Sequence, residues 1–477
     1  MDKNSVLCDV ISAELADILG IENFTTREVD RLCYVADHFW ISKMWVDRGR
    51  KLPLPDFVVW PNSAQEVSKI LKLANRYKIP VIPYGGGSGA QGGTVPLFGG
   101  IVIDLKRMDK ILRIDKKSYT ATALPGINGQ ILENQLNKEG VMLAHYPASQ
   151  YAATLGGYVA SRGSGVLSTK YGKAEDMVIS MEIVLPQGEI IRTLPVPNHA
   201  AGPGLLQLFI GSEGVFGVIT ELTMRIDPIP EVRKFRGYLF ADLVKGLEAG
   251  RRIMTQRLKP CVLRLYDASS TQRFIKRVLN LDAEGNFMIV GVDGDAPQVD
   301  YEESAIQKIC LSLNAIDWGS APGEHWWKHR YDFYFPPFAP SLPEMYGTTD
   351  TVTNFDNIYN LYLAKKQVIE DGYKEWGSTY TAHFSHWFPW GVMIYDRFFI
   401  KRPPQDPREA LLLHNKIWAD SVRASIAHGG VLNEHHGIGF KLGWLMPEQY
   451  GSAWPMLKNL KNMLDPHGIM NPGKLGF

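Results

Sequence analysis

Hydrophobic positions along the chain change period several times, and each change marks a unit. Residues 11–19 and 30–45 carry apolar side chains at helical spacing, so residues 1–51 predict a mostly helical segment. From Leu52 the texture is extended, in Leu52-Pro-Leu-Pro-Asp-Phe-Val-Val-Trp-Pro61. An amphipathic helix follows over 63–78: Ser63 is an N-cap, Glu66 completes a capping box, and Val67, Ile70, Leu71 and Ala74 keep the helical period. Short apolar runs at 79–84, 100–105 and 119–124 predict strands, 129–138 a helix, and the alternation continues to about Pro230. A second unit begins at 240–257. It has strands near 261–266 and 287–293, a loop-like stretch dense in aromatics and prolines at 326–346, a strand-like aromatic stretch at 379–400 and a long helix at 410–428. The chain closes with a Gly/His turn, a helix over 454–464 and a Pro/Gly tail. The predicted units are 1–51, 52–231, 232–429 and 430–477.

Composition narrows the function without naming it. At roughly 100–200 residues per domain, 477 residues suffice for several packed units. The 51 basic and 50 acidic residues give a net charge of +1, which argues against a general nucleic-acid binder. Cys8, Cys33, Cys261 and Cys310 are scattered and form no CxxC pair, so neither a zinc site nor a disulfide framework is expected, and a cytoplasmic setting fits. No apolar run reaches the roughly 18 residues of a membrane span, leaving peripheral association open. The 45 glycines stand out more than the charge.

Six of those glycines crowd Gly85-Gly-Gly-Ser-Gly-Ala-Gln-Gly-Gly93, directly after a predicted strand. Gly87-x-Gly89-x-x-Gly92 matches the dinucleotide fingerprint, and Asp104 ends a later strand where a ribose-binding acid would lie. A Rossmann loop must open a helix, however, and residues 93–100 (Gly-Thr-Val-Pro-Leu-Phe-Gly-Gly) cannot hold one. The alternative is a nest, in which successive amides of a glycine turn converge on an anion without a helix.

Further motifs identify the setting: Pro147-Ala-Ser-Gln-Tyr-Ala-Ala-Thr-Leu-Gly-Gly157, Tyr158-Val-Ala-Ser-Arg-Gly-Ser-Gly165, Gly211-Ser-Glu-Gly-Val-Phe-Gly-Val-Ile-Thr-Glu221, Asn433-Glu-His-His-Gly-Ile-Gly439 and the 464–474 tail. Together with the glycine loop they resemble the FAD-binding (PCMH-type) fold of the vanillyl-alcohol oxidase / p-cresol methylhydroxylase superfamily. The resemblance is strong over 52–230 and 430–477 and looser between. It implies an α+β fold, with two FAD-binding subdomains under an α/β cap that holds the substrate, and a C-terminal segment returning to the FAD domain. It implies that Tyr84, Gly85, Gly86, Gly87, Ser88 and Gly89 hold the FAD pyrophosphate. Pro147, Ser149, Thr154, Gly156, Gly157, Ser161, Ser164 and Gly165 would line the flavin and its ribityl-diphosphate. Glu213, Gly214, Gly217 and Ile219 would meet the adenine half. Some relatives link FAD through a histidine near the glycine loop; here Ser88 follows the third glycine and the nearest histidine is His145, so non-covalent FAD is expected.

Oxidising an alcohol on a flavin needs a base for the hydroxyl proton and groups that fix the substrate. His435 and His436, paired in a glycine turn at the superfamily's active-site position, are the candidate bases. Glycolate and D-lactate dehydrogenases of the superfamily carry Glu-His-Gly there and a histidine-rich metal motif in the cap. Here only His383 and His386 cluster, and three apart on a strand they fall on opposite faces, so no catalytic metal is expected. The alkyl-dihydroxyacetonephosphate synthase branch is more similar, through His435-His436-Gly437-Ile438-Gly439, Arg264-Leu265-Tyr266-Asp267 and Thr154-Leu155-Gly156-Gly157. That likeness implies that Arg264 and Arg330 hold an anionic headgroup and that Tyr395 is an acid/base. Glu434 departs from that branch's first histidine, and Ala148 from its usual aspartate. The aromatics Trp326, Trp327, Tyr331, Phe333, Tyr334, Phe335 and Phe338, with Phe384, Trp387, Phe388 and Trp390, are either core or a substrate pocket. The interleaved His325, Lys328, His329 and Arg330 favour a mixed pocket with an anionic end.

Three functions compete. The leading one is an FAD-dependent oxidoreductase transferring hydride from a hydroxyl-bearing, anionic small molecule such as a 2-hydroxy acid or alcohol. The second is redox-neutral ether-lipid synthesis, with the flavin as carrier. The third is a flavin-free binding protein. The expected partners are a small-molecule substrate, an electron acceptor (oxygen, a quinone or a protein) and a second copy of the chain in a homo-oligomer.

Overall fold

The computed structural model describes residues 3–333 and 344–477, and Tyr334, Phe335 and Phe338, expected in the core or a substrate pocket, lie outside them. The first sheet orders its strands Phe24–Thr25, Phe57–Val59, Ile101–Asp104, Val81–Tyr84, with the last three parallel. The helix Ala64–Tyr77 packs beside it. Ser63 accepts from the Glu66 amide at its start, Lys78 in the left-handed region closes it, and Val67, Ile70, Leu71 and Ala74 are buried as the period predicts. Between Tyr84 and Ile101 no helix forms, so the glycine loop links two parallel strands through turns. Asp104 faces inward and accepts from the Tyr34 hydroxyl at 2.7 Å, a structural bond rather than a ribose contact.

The second sheet is antiparallel throughout, in the order Ile111–Asp115, Thr120–Ala123, Val218–Arg225, Val178–Val184, Ile190–Arg192. The cap is built on a third sheet, ordered Ile316–Asp317, Val232–Phe240, Asn286–Gly294, Val262–Tyr266, Ser378–Phe388, Gly391–Ile400, Met345–Thr348, with Thr351–Asn354 also pairing with Gly391–Ile400. Period-two alternation sorts its faces. In Val262–Tyr266, Leu263 and Leu265 join one apolar core with Ile358, Leu361, Ile417 and Val422 of the helices Ile358–Glu370 and Pro407–Ala427. Val262 and Tyr266 join the other core, and Arg264 between them turns toward a cavity.

Two expectations change. The helical period over 30–45 is real but interrupted: helices cover Glu28–Arg31 and Trp40–Asp47, with a 3-10 turn at Leu32–Tyr34 and then a break in which Asp37 accepts from the Phe39 amide. The stretch 326–346 is loop-like only in part, because the helix Ala321–Lys328 starts with Pro322 in its first turn, where a missing N–H costs nothing, and buries Trp326. The C-terminal residues return to the first sheet, where the Val81 amide donates to Ile469 and the Asn471 amide donates to Val81, both at 2.8 Å. Among the described residues no helix is long and apolar enough to cross a membrane.

Candidate functional site

A cavity of about 650 Å³ lies between the glycine loop and the cap sheet, a size typical of small-molecule sites. Its wall contains residues 84–89, then Pro147, Ser149, Thr154, Gly156, Gly157, Ser161, Ser164 and Gly165, then Glu213, Gly214, Gly217 and Ile219. Every residue expected to face FAD is therefore on one surface. The wall also fits the cofactor sterically. A Cβ on Gly89 or Gly157 would stand in the cavity, meeting only Asp37 Oδ2 at 3.5 Å and Thr154 Oγ1 at 3.4 Å. Other glycines serve packing: a Cβ on Gly165 would fall on the His145 carbonyl, and one on Gly86 on the Ala152 carbonyl. Ser164 Oγ and the Gln91 side-chain amide, both buried, have no hydrogen bond among the described residues. Glu213 lines the wall, but its carboxylate accepts from the Ile438 and Gly439 amides, so it ties the histidine turn to the FAD-binding half. His145 is buried behind the wall rather than in it.

The N-terminal segment enters this site unforeseen. Residues 36–40 line the cavity, and the His38 amide donates to the Gly89 carbonyl at 2.9 Å. Burial pushes the Asp37 carboxyl up to about 7, against the amides of Phe39 and Thr94 and the charge of Lys474. Burial takes His38 down to about 4, with Lys43 and His436 adding repulsion. A loop break inside an apolar helical period carries no motif, and only the Asp-His pair between apolar residues hinted at it.

The centre of the site is the turn 433–439. Asp350 accepts from the Glu434 and His435 amides at 3.0 Å each, while its Oδ1 takes the His436 Nδ1–H at 2.5 Å. His435 Nδ1 lies 2.8 Å from Glu434 Oε2 and 3.0 Å from Asp350 Oδ2. Glu434 also meets Lys173 Nζ at 2.7 Å and His386 Nδ1 at 3.2 Å. Adjacent histidines thereby acquire opposite states. Burial disfavours charge on both, but Asp350 and Glu434 overcome it at His435, which rises to about 9. At His436 burial prevails over Asp350, the charge of His435 adds to it, and the pKa is lowered. Asp350 is held well below the carboxylate range, its burial outweighed by His436 and His435, so it is ionised and His436 must carry its hydrogen on Nδ1. No hydrogen bond occupies His436 Nε2 among the described residues.

The cap supplies the facing wall: Arg264, His383, Ser385, His386, Tyr395 and Arg397 line the cavity. Tyr395 stacks on His383 with ring centres 4.7 Å apart and makes a T-shaped contact with the His436 ring at 5.2 Å. His383 and His386 both reach the cavity, contrary to strand alternation. The register shifts between Ser385 and Trp387, and His386 takes a φ of 52°, so one extra residue turns its ring inward. Arg330 does not join the site: its guanidinium lies 3.9 Å from the Trp327 ring and donates to the Trp327 carbonyl. The pocket expected around His325, Lys328, His329 and Arg330 does not form there either, since none of the four lines the cavity and His329 pairs with Asp332. Of the described aromatics expected there, only Phe333 reaches it. Trp326, Phe384 and Trp387 are core, and Phe388 stacks on Trp390 at the surface.

Comparison with known proteins agrees with this arrangement. Residues 55–194 match the FAD binding domain family, and residues 229–475 match the FAD linked oxidases, C-terminal domain. The chain is 32% identical to an alkyldihydroxyacetonephosphate synthase of Dictyostelium discoideum, over 90% of this chain and 74% of that protein. It is also 32% identical to the FAD-linked oxidoreductase YgcU of Escherichia coli K12, over 92% of this chain and 95% of that one. A solved alkyldihydroxyacetonephosphate synthase superposes with a TM-score of 0.81 at 27% identity, covering 97% of this chain and 85% of the other.

Proposed function

Since the chain belongs to the FAD-linked oxidases and takes FAD as its cofactor, we propose that it oxidises a hydroxyl-bearing, anionic small molecule, with His436 as the base. One observation carries this: His436 stands in the cavity wall with Nδ1 2.5 Å from Asp350 Oδ1, which leaves Nε2 for the substrate hydroxyl. FAD, held non-covalently by residues 84–89 and the 147–165 and 213–219 walls, would supply the hydride acceptor. Asp350 fixes the tautomer and stabilises the imidazolium formed when His436 takes the proton. His435, already cationic, supplies a fixed positive charge beside it. Arg264 draws the anionic end of the substrate to the cap, and Tyr395 packs over the reacting region. An anaerobic screen of hydroxy-acids and alcohols against the FAD-loaded protein, followed by flavin bleaching, tests this reading. Bleaching by an anionic alcohol is the expected result; no bleaching by any of them would overturn it.

A second reading rests on the likeness to alkyldihydroxyacetonephosphate synthases, whose name denotes formation of a product rather than net oxidation. In that case the same His436 and Tyr395 would move protons in a redox-neutral exchange on a phosphate-bearing substrate. Turnover of a dihydroxyacetone phosphate ester with a long-chain alcohol, without net bleaching, would favour it. Glu434, standing where that branch has a histidine, weighs against a complete equivalence.

A further inference from the structure

Among the described residues, the cavity face of the cap sheet holds one more arginine than the reaction above uses. Tyr266 pairs with His383, and His383 with Tyr395, so these three form one row. Steps of two residues along a strand stay on the same face. One step to one side lies Arg264, level with Ser385; one step to the other lies Arg397, paired with Thr381. Both arginines line the cavity at less than a tenth exposure, 8% and 9%. The carboxylate next to Arg397 in sequence alternates to the opposite face, and the one that follows Tyr266 caps the next helix. Asp396 is taken by Lys365, Tyr380 and Thr349, and Asp267 by Tyr362 and the Ser270 amide.

Aromatic rings set the planes of the two guanidinium groups. Arg264 lies 5.4 Å from the Trp326 ring, and Arg397 lies 4.8 Å from both Phe274 and Tyr395. Arg273 and Arg277 stand close enough to Arg397 to repel it, adding positive potential behind the same wall. Between the two arginines His383 stays neutral, through burial and the charge of both neighbours, and so keeps one N–H to offer.

We propose that Arg264, His383 and Arg397 form an oxyanion subsite, and that Arg397 is the residue that sets which anionic group the substrate carries. The proposal rests on the reading that the substrate is anionic. Arginine remains charged at any working pH, and its planar fork matches the paired oxygens of phosphate, sulfate and carboxylate. Two fixed cations on one face favour a doubly charged group, so phosphate and sulfate should bind more tightly than acetate.

The FAD-loaded protein is titrated with inorganic phosphate, sulfate and acetate. Binding is read by calorimetry and by the visible difference spectrum of the flavin. Phosphate and sulfate are expected to bind ahead of acetate. Arg397→Gln and Arg264→Gln should each weaken phosphate by about tenfold to a hundredfold, as expected for a lost charge-assisted pair. Arg423→Gln, at an exposed pair with Glu448, should leave it unchanged. Arg397→Lys, which keeps the charge and loses the fork, should fall between, and it serves where the glutamine variant does not retain flavin. Phosphate binding unaltered in a flavin-retaining Arg397 variant would overturn the subsite. So would a wild-type protein that binds none of the three anions up to 100-millimolar scale, about the weakest useful affinity. If no anionic alcohol bleaches the flavin while phosphate still binds through Arg397, the reaction reading falls and the subsite stands. If such alcohols bleach it and Arg397→Gln changes neither KM nor phosphate affinity, the subsite falls and the reaction stands.

Discussion

At the scale of residues, the site turns on one carboxylate serving two neighbouring imidazoles. Asp350 bonds Nδ1 of both His435 and His436, yet only His435 also meets Glu434, and that second carboxylate decides which ring is charged. His436→Ala should retain FAD while flavin reduction slows by about two to four orders of magnitude, the usual contribution of general base catalysis. Stopped-flow reduction by any substrate that bleaches the flavin measures it, and an unaltered rate would remove His436 from the proton transfer. The pH dependence follows from the same pair. His436 must be neutral, and its pKa is lowered, so the acid limb of the rate profile should lie below 6.5. His435 must be charged, so the alkaline limb should lie near 9. Stability carries the same sign. A histidine whose folded pKa is raised contributes fully below its unfolded value of about 6.5 and loses that contribution as pH climbs through about 9. Thermal melts between pH 6 and 10 should therefore show stability falling across that window, and Asp350→Asn should flatten the slope. An equally steep slope in Asp350→Asn would assign the titration to another group.

At the scale of elements, the histidine turn is held by a partner from a different part of the chain. Glu213 accepts from two amides of the turn, and its own φ of 47° aims the side chain across. Burial raises its carboxyl to about 7, against the two amides and the charge of Lys474. Glu213→Ala leaves both amides buried without an acceptor and should cost about 2–6 kcal/mol, at 1–3 for each orphaned group. Denaturant unfolding measures it, and a loss under 1 kcal/mol would mean that water replaces the carboxylate. Elements with strong local period were legible in the sequence: the helices Gly129–Lys138 and Trp454–Leu464 have the bounds their pattern implies. The glycine wall was legible too, because backbone that must approach a ligand leaves a compositional mark that local sequence carries. The bulge at His386 and the break at Asp37 were not, since both arise where a tertiary partner, Glu434 in one case and Gly89 in the other, overrides the local period. Arg397 escaped for a related reason. Its importance comes from alternation on a strand paired with Thr381, whereas Arg330, in an aromatic stretch that looked like a pocket, turns onto Trp327.

At the scale of the whole molecule, the cavity exists only because segments distant in sequence close on one another. The glycine loop, the 36–40 break, the cap sheet and the histidine turn each contribute one wall. The last residues lock them together. Residues 469–471 pair with Val81 at the base of the strand leading into the glycine loop, while Ile469 and Met470 are fully buried in the core of the first sheet. Lys461 donates to the Val215 and Met470 carbonyls and pairs with Asp465, and Lys474, wholly buried, donates to the Val95 carbonyl beyond the loop. Burial lowers Lys474 to about 8, with Asp37 and Glu213 drawing it back up, so this one lysine lies between the 36–40 break and the carboxylate that holds the histidine turn. A chain ending at residue 429 would lose the histidine turn and this lock together, so its loss of activity alone would be uninformative. A chain ending at residue 466 keeps the turn and loses only the lock. It should fail to retain FAD, because the glycine loop loses its base and Asp37 and Glu213 lose the cation between them. Flavin absorbance after gel filtration, with far-UV circular dichroism to establish that the cap still folds, measures this. A truncated chain that keeps its full complement of FAD would show that the loop holds its shape without the C-terminal residues. The single exchange Lys474→Met then separates charge from packing. It fills the same space without the cation, and should raise the pH at which Asp37 and Glu213 ionise above about 7, so that the FAD affinity lost to the exchange, measured from pH 6 to 9, is greatest between about 7 and 8, where both carboxyls would be ionised and the lysine still charged.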